Sequence, residues 1–179
     1  EMAGLAAAAG AVAFGVDVDA ATLINMVRAG QFVGPKTKHD LAYIKTHTKI
    51  PFIVKGIMTP DEAELCCDAG VDAIVVSNHG GRVLDYTPGT AKVLPHIAEA
   101  VKGRIIIMVD GGVRTGADVL KMLALGADIV LVGRPVAIGA IGGGSQGVAT
   151  VIGRIAAELR SAMILTGTQS VQNIADDII

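Results

Sequence analysis

A chain of 179 residues is long enough for one domain with a substantial core and too short for two ordinary ones. Its hydrophobic fraction of 51% against 18% charged residues excludes disorder, and 23 glycines point to many tight turns between buried elements. A formal net charge of -2, with no lysine-rich block, argues against nucleic acid as a partner.

Met2 to Ala13 is apolar and alanine-rich, lacks the cationic lead of a signal peptide and is shorter than a membrane span. It reads as a buried helix over Gly4 to Gly10 followed by a strand over Ala11 to Val16. That strand ends in Asp17-Val18-Asp19. Asp19 is placed to cap a helix over Ala20 to Arg28, because aspartate accepts hydrogen bonds from the free amides of a first turn; Asp17 is left open for chemistry. The chain opens mid-pattern at Glu1 and is expected to be a piece of a longer polypeptide.

Gly30 to Lys38 is a loop, and Thr37 starts a helical pattern that runs through Ile44. Ile50 to Gly56 is an apolar strand closed by Lys55 and Gly56. Thr59-Pro60-Asp61-Glu62 carries a hydroxyl cap, a first-turn proline and acids, so a helix starts there and stops near Gly70. Cys66 and Cys67, the two cysteines of the chain, are adjacent in that helix, which fits neither a disulfide framework nor metal-ligand spacing. A reducing, cytoplasmic setting is expected, with no metal.

Ala73 to Val76 is an unbroken apolar run, the signature of a strand buried on both faces of a parallel sheet. It breaks into Ser77-Asn78-His79-Gly80-Gly81-Arg82-Val83-Leu84-Asp85. Thr90 to Val101 then predicts a helix, Arg104 to Val109 a strand, Ala117 to Leu125 a helix and Asp128 to Val132 a strand. The tail predicts a long helix from about Gln146 to Leu165 and a short one around Val171 to Ile179. Strand, loop and helix recur every 20 to 30 residues or roughly so, which fits a (β/α)8 TIM barrel. About five strands are recognisable and about three βα units are missing, so the chain reads as the later part of one barrel domain over residues 1–179. An open doubly wound sheet is the competing architecture, but its glycine-rich fingerprint is absent after the first strand.

Each strand hands polar residues to its C-terminal end, the face where barrels do chemistry. His79 can accept and return a proton near neutrality, and Arg82 can grip a carboxylate through two parallel hydrogen bonds. Together they point to an anionic substrate that gives up a proton. Asp85 is expected to brace the loop through Arg82 or a backbone amide. Lys55 has three readings: a fixed charge beside a cofactor that becomes anionic, an imine-forming amine of a barrel lyase or aldolase, or a side chain reaching for water. Asp110-Gly111-Gly112-Val113-Arg114 and Gly133-Arg134 are glycine-and-arginine loops at consecutive strand ends, where free amides and helix N-termini make a phosphate site.

These motifs resemble the FMN-dependent α-hydroxy acid oxidases and dehydrogenases, which include glycolate oxidase and lactate oxidase. The likeness rests on Val54-Lys55-Gly56, on Ser77 through Asp85, on Asp110 through Gly116, and on Ala124-Leu125-Gly126-Ala127 leading into Gly133-Arg134-Pro135. It implies FMN as cofactor and a small L-2-hydroxy acid as substrate, oxidised to the 2-oxo acid. It implies that His79 is the active-site base, that Asp17 pairs with it and that Arg82 binds the substrate carboxylate. Lys55 and Ser77 would contact the flavin; Asp110, Gly111, Gly112, Val113 and Arg114 would hold the ribityl chain and phosphate, completed by Gly133 and Arg134. It also implies a homo-oligomer, a tetramer, with no membrane association.

Overall fold

The computed structural model describes residues 2–21, 23–31, 33–175 and 178. Five strands form one sheet in the order β1-β2-β3-β4-β5: Phe14–Asp17, Phe52–Ile57, Ala73–Val76, Ile106–Val109 and Ile129–Val130. Every neighbouring pair is parallel. Helices α1 to α7 cover Met2–Ala8, Ile24–Arg28, Lys38–Thr46, Pro60–Asp68, Thr90–Val101, Gly116–Ala124 and Arg134–Leu165. The sheet is an arc of a (β/α)8 barrel.

The apolar run that predicts β3 is buried at all four positions, as a central parallel strand must be. Alternate residues of β2, β3 and β4 (Phe52, Val54, Ile74, Val76, Ile107 and Val109) face the helices and are fully buried. They pack with Leu94, Ile97 and Val101 of α5 and Ala63 and Cys66 of α4. The opposite face of the sheet carries Lys55 and Asp17 in register with one another. Burial pushes the Cys66 thiol up to about 12, so it is a packing group and not a nucleophile.

Two aspartates lock the N-terminal edge of the sheet in the same way. Asp72 donates its amide to the Phe52 carbonyl at 3.0 Å and accepts the Phe52 amide on Oδ2 at 2.6 Å. Asp128 repeats this with Ile107, at 2.8 Å in both directions. Each clamp aligns one strand with its neighbour before the ladder begins, and Lys45 adds an ion pair to Asp72 at 2.7 Å. Helices start from capping boxes at Thr37 with Asp40, Thr59 with Glu62, and Thr115 with Asp118.

Four expectations change. Helix α1 has no buried residue, so the N-terminal apolar run is not the buried helix expected. Asp19 does not cap α2, whose N-cap is Leu23 with no side-chain bond. A helix that the sequence did not suggest starts at Arg134; Gly143 and Gly144, with non-helical backbone, break the run after it, and the long helix expected from about Gln146 to Leu165 follows that break. Of the short helix expected over Val171 to Ile179, Asp176, Asp177 and Ile179 lie outside the described residues; Ser170 and Asn173 form an isolated bridge.

Removing either clamp carboxylate, in D72A or D128A, is expected to lower the unfolding free energy by about 1–3 kcal/mol, measured by urea denaturation. Acid should act through the same group. Burial alone would raise the Asp72 carboxyl, but Lys45 and the Phe52 amide outweigh it and hold it below 3.8; Asp118 is held down likewise by the amides of Arg114 and Thr115 and the Thr115 hydroxyl. Their stabilisation is therefore complete above the ordinary carboxylate range and is lost as pH falls through the lowered folded-state values. The urea midpoint should drop as pH falls below the ordinary carboxylate range, and less so in D72A.

Candidate active site

The loop after β3 is built to hold an imidazole in an uncommon posture. His79 has φ 55°, in the left-handed region that non-glycine residues rarely adopt, within a short 3-10 turn over His79–Gly81. Three bonds hold it there. The His79 amide donates to Ser77 Oγ at 3.1 Å, the Gly80 amide donates to the Asn78 side chain at 3.1 Å, and Arg82 Nε donates to the His79 carbonyl at 3.0 Å. Asn78 Nδ2 braces the far side of the loop through Thr87 and Pro88. Asp85 accepts the Tyr86 amide at 2.8 Å, so it braces the loop through backbone and not through Arg82.

Strands β1 and β2 bring the other charges. Asp17 stands opposite Lys55 in the ladder, and the ammonium lies 3.2 Å from Asp17 Oδ1 and 3.9 Å from Asp110 Oδ2. An imine-forming lysine needs an apolar or cationic neighbourhood to free its lone pair. Lys55 has two carboxylates instead, which disfavours the lyase reading. The imidazole pairing expected of Asp17 falls to Asp19: His79 Nδ1 is 3.4 Å from both Asp19 oxygens. Asp17, Asp19 and His79 bring one side-chain oxygen or nitrogen each within 4.8 Å of one another, and Asp17 pairs in addition with Lys55.

The loops after β4 and β5 form the other end. Gly111 and Gly112 have φ of 96° and 76°, conformations that turn the backbone sharply after Asp110. Thr90, buried at the start of α5, donates to the Asp110 carbonyl at 2.5 Å and lies so close to Gly111 that a Cβ there would be 2.8 Å from its Oγ1. Helix α7 secures the start of α6, where Glu158 accepts the Gly116 amide at 3.0 Å. Arg134, in the first turn of α7, lies against Gly80; a Cβ on that glycine would be 3.1 Å from the guanidinium. Among the described residues, the amides of Gly112, Val113 and Gly133 have no hydrogen-bond partner.

These elements enclose a cavity of about 580 Å³. Asp17, Lys55, His79 and Arg82 line it, together with Asp110 to Arg114 and Gly133 and Arg134. The groups predicted from the sequence thus share one space, with one exception. Ser77 is fully buried and lies behind the wall, where its hydroxyl positions the His79 amide. Asp19 and Thr90 are the functional neighbours that the sequence reading missed; Thr90 opens a helix next to Gly89, and that position could have marked it.

Residues 3–179 match the family described as FMN-dependent dehydrogenase. The chain belongs to that family. It is 49% identical to 2-hydroxyacid oxidase of Dictyostelium discoideum over 143 residues, 80% of this chain and 37% of the relative. It is 47% identical to L-lactate oxidase of Lactobacillus jensenii over 146 residues, 82% of this chain and 35% of the relative. Among solved structures, mandelate oxidase with benzoyl-formic acid superposes with a TM-score of 0.87 at 37% identity, covering 96% of this chain and 56% of that one. The chain therefore spans little more than a third of the length of these curated relatives.

The cavity suits the family's cofactor. FMN needs an anion site for its phosphate, and the free amides of Gly112, Val113 and Gly133 converge with Arg114 and Arg134 at the first turn of α7. Asp110 Oδ1 is buried with no partner among the described residues, an acceptor left for a hydroxyl such as those of a ribityl chain. Among the described residues, no helix is long and apolar enough to cross a membrane.

A glycine pair tests the geometry. Gly56 has φ 105°, and a Cβ there would sit 2.6 Å from Asp19 Cβ, so G56A should cost about 2 kcal/mol or more. Gly112 has φ 76° but open space around it, and G112A should cost about 1 kcal/mol, from backbone strain alone. Equal urea midpoints for the two variants would place Asp19 away from Gly56.

Proposed function

We propose that the protein of which this chain forms part uses FMN to oxidise a small L-2-hydroxy acid to the 2-oxo acid. The observation that carries this reading is the shared cavity, which His79 and Arg82 line together with the glycine-and-arginine loops. When bound, FMN supplies the acceptor for the two electrons released from the substrate. The protein's residues do the rest. Arg82, tied by Nε to the His79 carbonyl, presents its remaining donors to the substrate carboxylate. His79 accepts the proton that leaves the substrate as the carbonyl forms. Lys55 keeps a positive charge at the cavity wall, where negative charge grows on the cofactor during turnover. Arg114, Arg134 and the amides of the two glycine loops bind the phosphate.

Lactate- or glycolate-like acids are the favoured substrates. Support comes from the sequence relatives named lactate oxidase and L-lactate dehydrogenase, at 47–49% identity, against 37–38% for the mandelate oxidase structures. We place the protein in the reducing cytoplasm, in keeping with its free Cys66 and Cys67, and as a homo-oligomer. Residues 1–179 then act as one part of a single FMN-binding barrel.

The complete polypeptide, purified and supplied with FMN, should be yellow and should turn over L-lactate or glycolate faster than L-mandelate. H79Q should keep its flavin absorbance and lose about 100-fold or more in kcat. R82M should raise KM about 10- to 100-fold. Absence of flavin binding, or wild-type turnover by H79Q, overturns the reading.

A further inference from the structure

Thr90 is the first residue of α5, next to a glycine N-cap, and no side chain caps that helix. Its hydroxyl is turned instead to the loop after β4, where it donates to the Asp110 carbonyl at 2.5 Å. Among the described residues that carbonyl has no other partner. Thr90 is 4% exposed, which shields the bond from competing water. The Asp110–Gly111 peptide is trans, and in a trans peptide the N–H points opposite to the C=O. Drawing the carbonyl onto Thr90 therefore turns the Gly111 amide away from α5. That amide has no hydrogen-bond partner among the described residues, and Gly111 lines the cavity with Gly112 and Val113, whose amides are also free. Successive free amides of this kind form a backbone concavity that binds anions.

We infer that Thr90 is a positioning residue for the phosphate of FMN: it holds the Asp110–Gly111 peptide with the carbonyl turned out of the cradle and the amide free for the ligand. Gly111 makes this bond necessary. At φ 96° a glycine tolerates either orientation of the peptide before it, so the backbone alone does not choose. Gly111 also makes the bond possible, because a Cβ there would lie 2.8 Å from Thr90 Oγ1. Without the hydroxyl the carbonyl faces a methyl group, and rotation of the peptide is its route to a new donor. The rotated peptide sets the negative end of its dipole in a site built for an anion, and one donor is lost from it. The inference rests on the FMN reading and adds the residue that keeps the cradle receptive.

T90V keeps the shape of threonine and removes the hydroxyl. In the complete polypeptide it should weaken FMN binding about 10-fold or more, read by quenching of flavin fluorescence. Riboflavin, the same flavin without the phosphate, should lose no more than about threefold, whereas a general loosening of the barrel weakens both ligands alike. T90S, which keeps the hydroxyl, should hold FMN within about threefold of the wild type. Equal FMN affinity in wild type and T90V overturns the inference; so does an equal loss of FMN and riboflavin, or a T90S as weak as T90V. Crystal structures read the peptide directly, and an Asp110 carbonyl facing the cavity in the wild type overturns the inference without requiring any variant to fold. A wild-type protein that binds no FMN refutes the functional reading, while a structure without FMN still decides the orientation of the Asp110–Gly111 peptide.

Discussion

In-register pairing of parallel strands is the constraint on which the rest of this structure depends. Along one row of the ladder, Asp17 meets Lys55, Lys55 meets Val75 and Val75 meets Met108. All the strands run the same way, so every chain leaves the sheet at the same edge. His79 follows β3 there, Asp110 follows β4, and Gly133 and Arg134 follow β5. Side chains far apart in sequence become neighbours because hydrogen bonding fixes both the direction and the offset of their strands. The Asp72 and Asp128 clamps set that offset from the opposite edge, at Phe52 and Ile107. Stability is thus concentrated at one end of the sheet and chemistry at the other, the division expected of a barrel.

Among the described residues, the two non-glycine residues with positive φ, His79 and Tyr86, both lie in the loop after β3. His79 occupies a positive φ that costs on the order of 1–3 kcal/mol, and the bonds from Ser77, Asn78 and Arg82 sustain it. Gly56 and Gly111 do something different. Each is a place where another side chain, Asp19 or Thr90, comes within a distance that no Cβ would allow. Backbone freedom there is used for close approach and not merely for turning.

Charge tells a similar story on a different scale. The chain as a whole carries -2, yet the cavity is lined by four cations, Lys55, Arg82, Arg114 and Arg134, against two carboxylates, Asp17 and Asp110. A local excess of positive charge in a cleft draws anions even when the protein repels them overall. Both a phosphate and a carboxylic acid substrate meet that requirement.

Much of this was legible in the residues alone. Ala73 to Val76 could only be a doubly covered strand, the threonine caps marked where α3 and α4 begin, and Ser77 through Asp85 with the two glycine-arginine loops named the groups that share the cavity. Those features are local: hydrophobic period, cap chemistry and motif spacing act over a few residues, so they survive in one dimension. The tertiary structure decided what lies beyond that reach. Ser77 went behind the wall and not into it, because the turn at His79 needed an acceptor beneath it. Glu158 reached Gly116 across 42 positions with no local signal to announce it. Asp19, expected to cap a helix, stands 3.4 Å from the imidazole and packs against Gly56 of the neighbouring strand, while Asp17 pairs with Lys55.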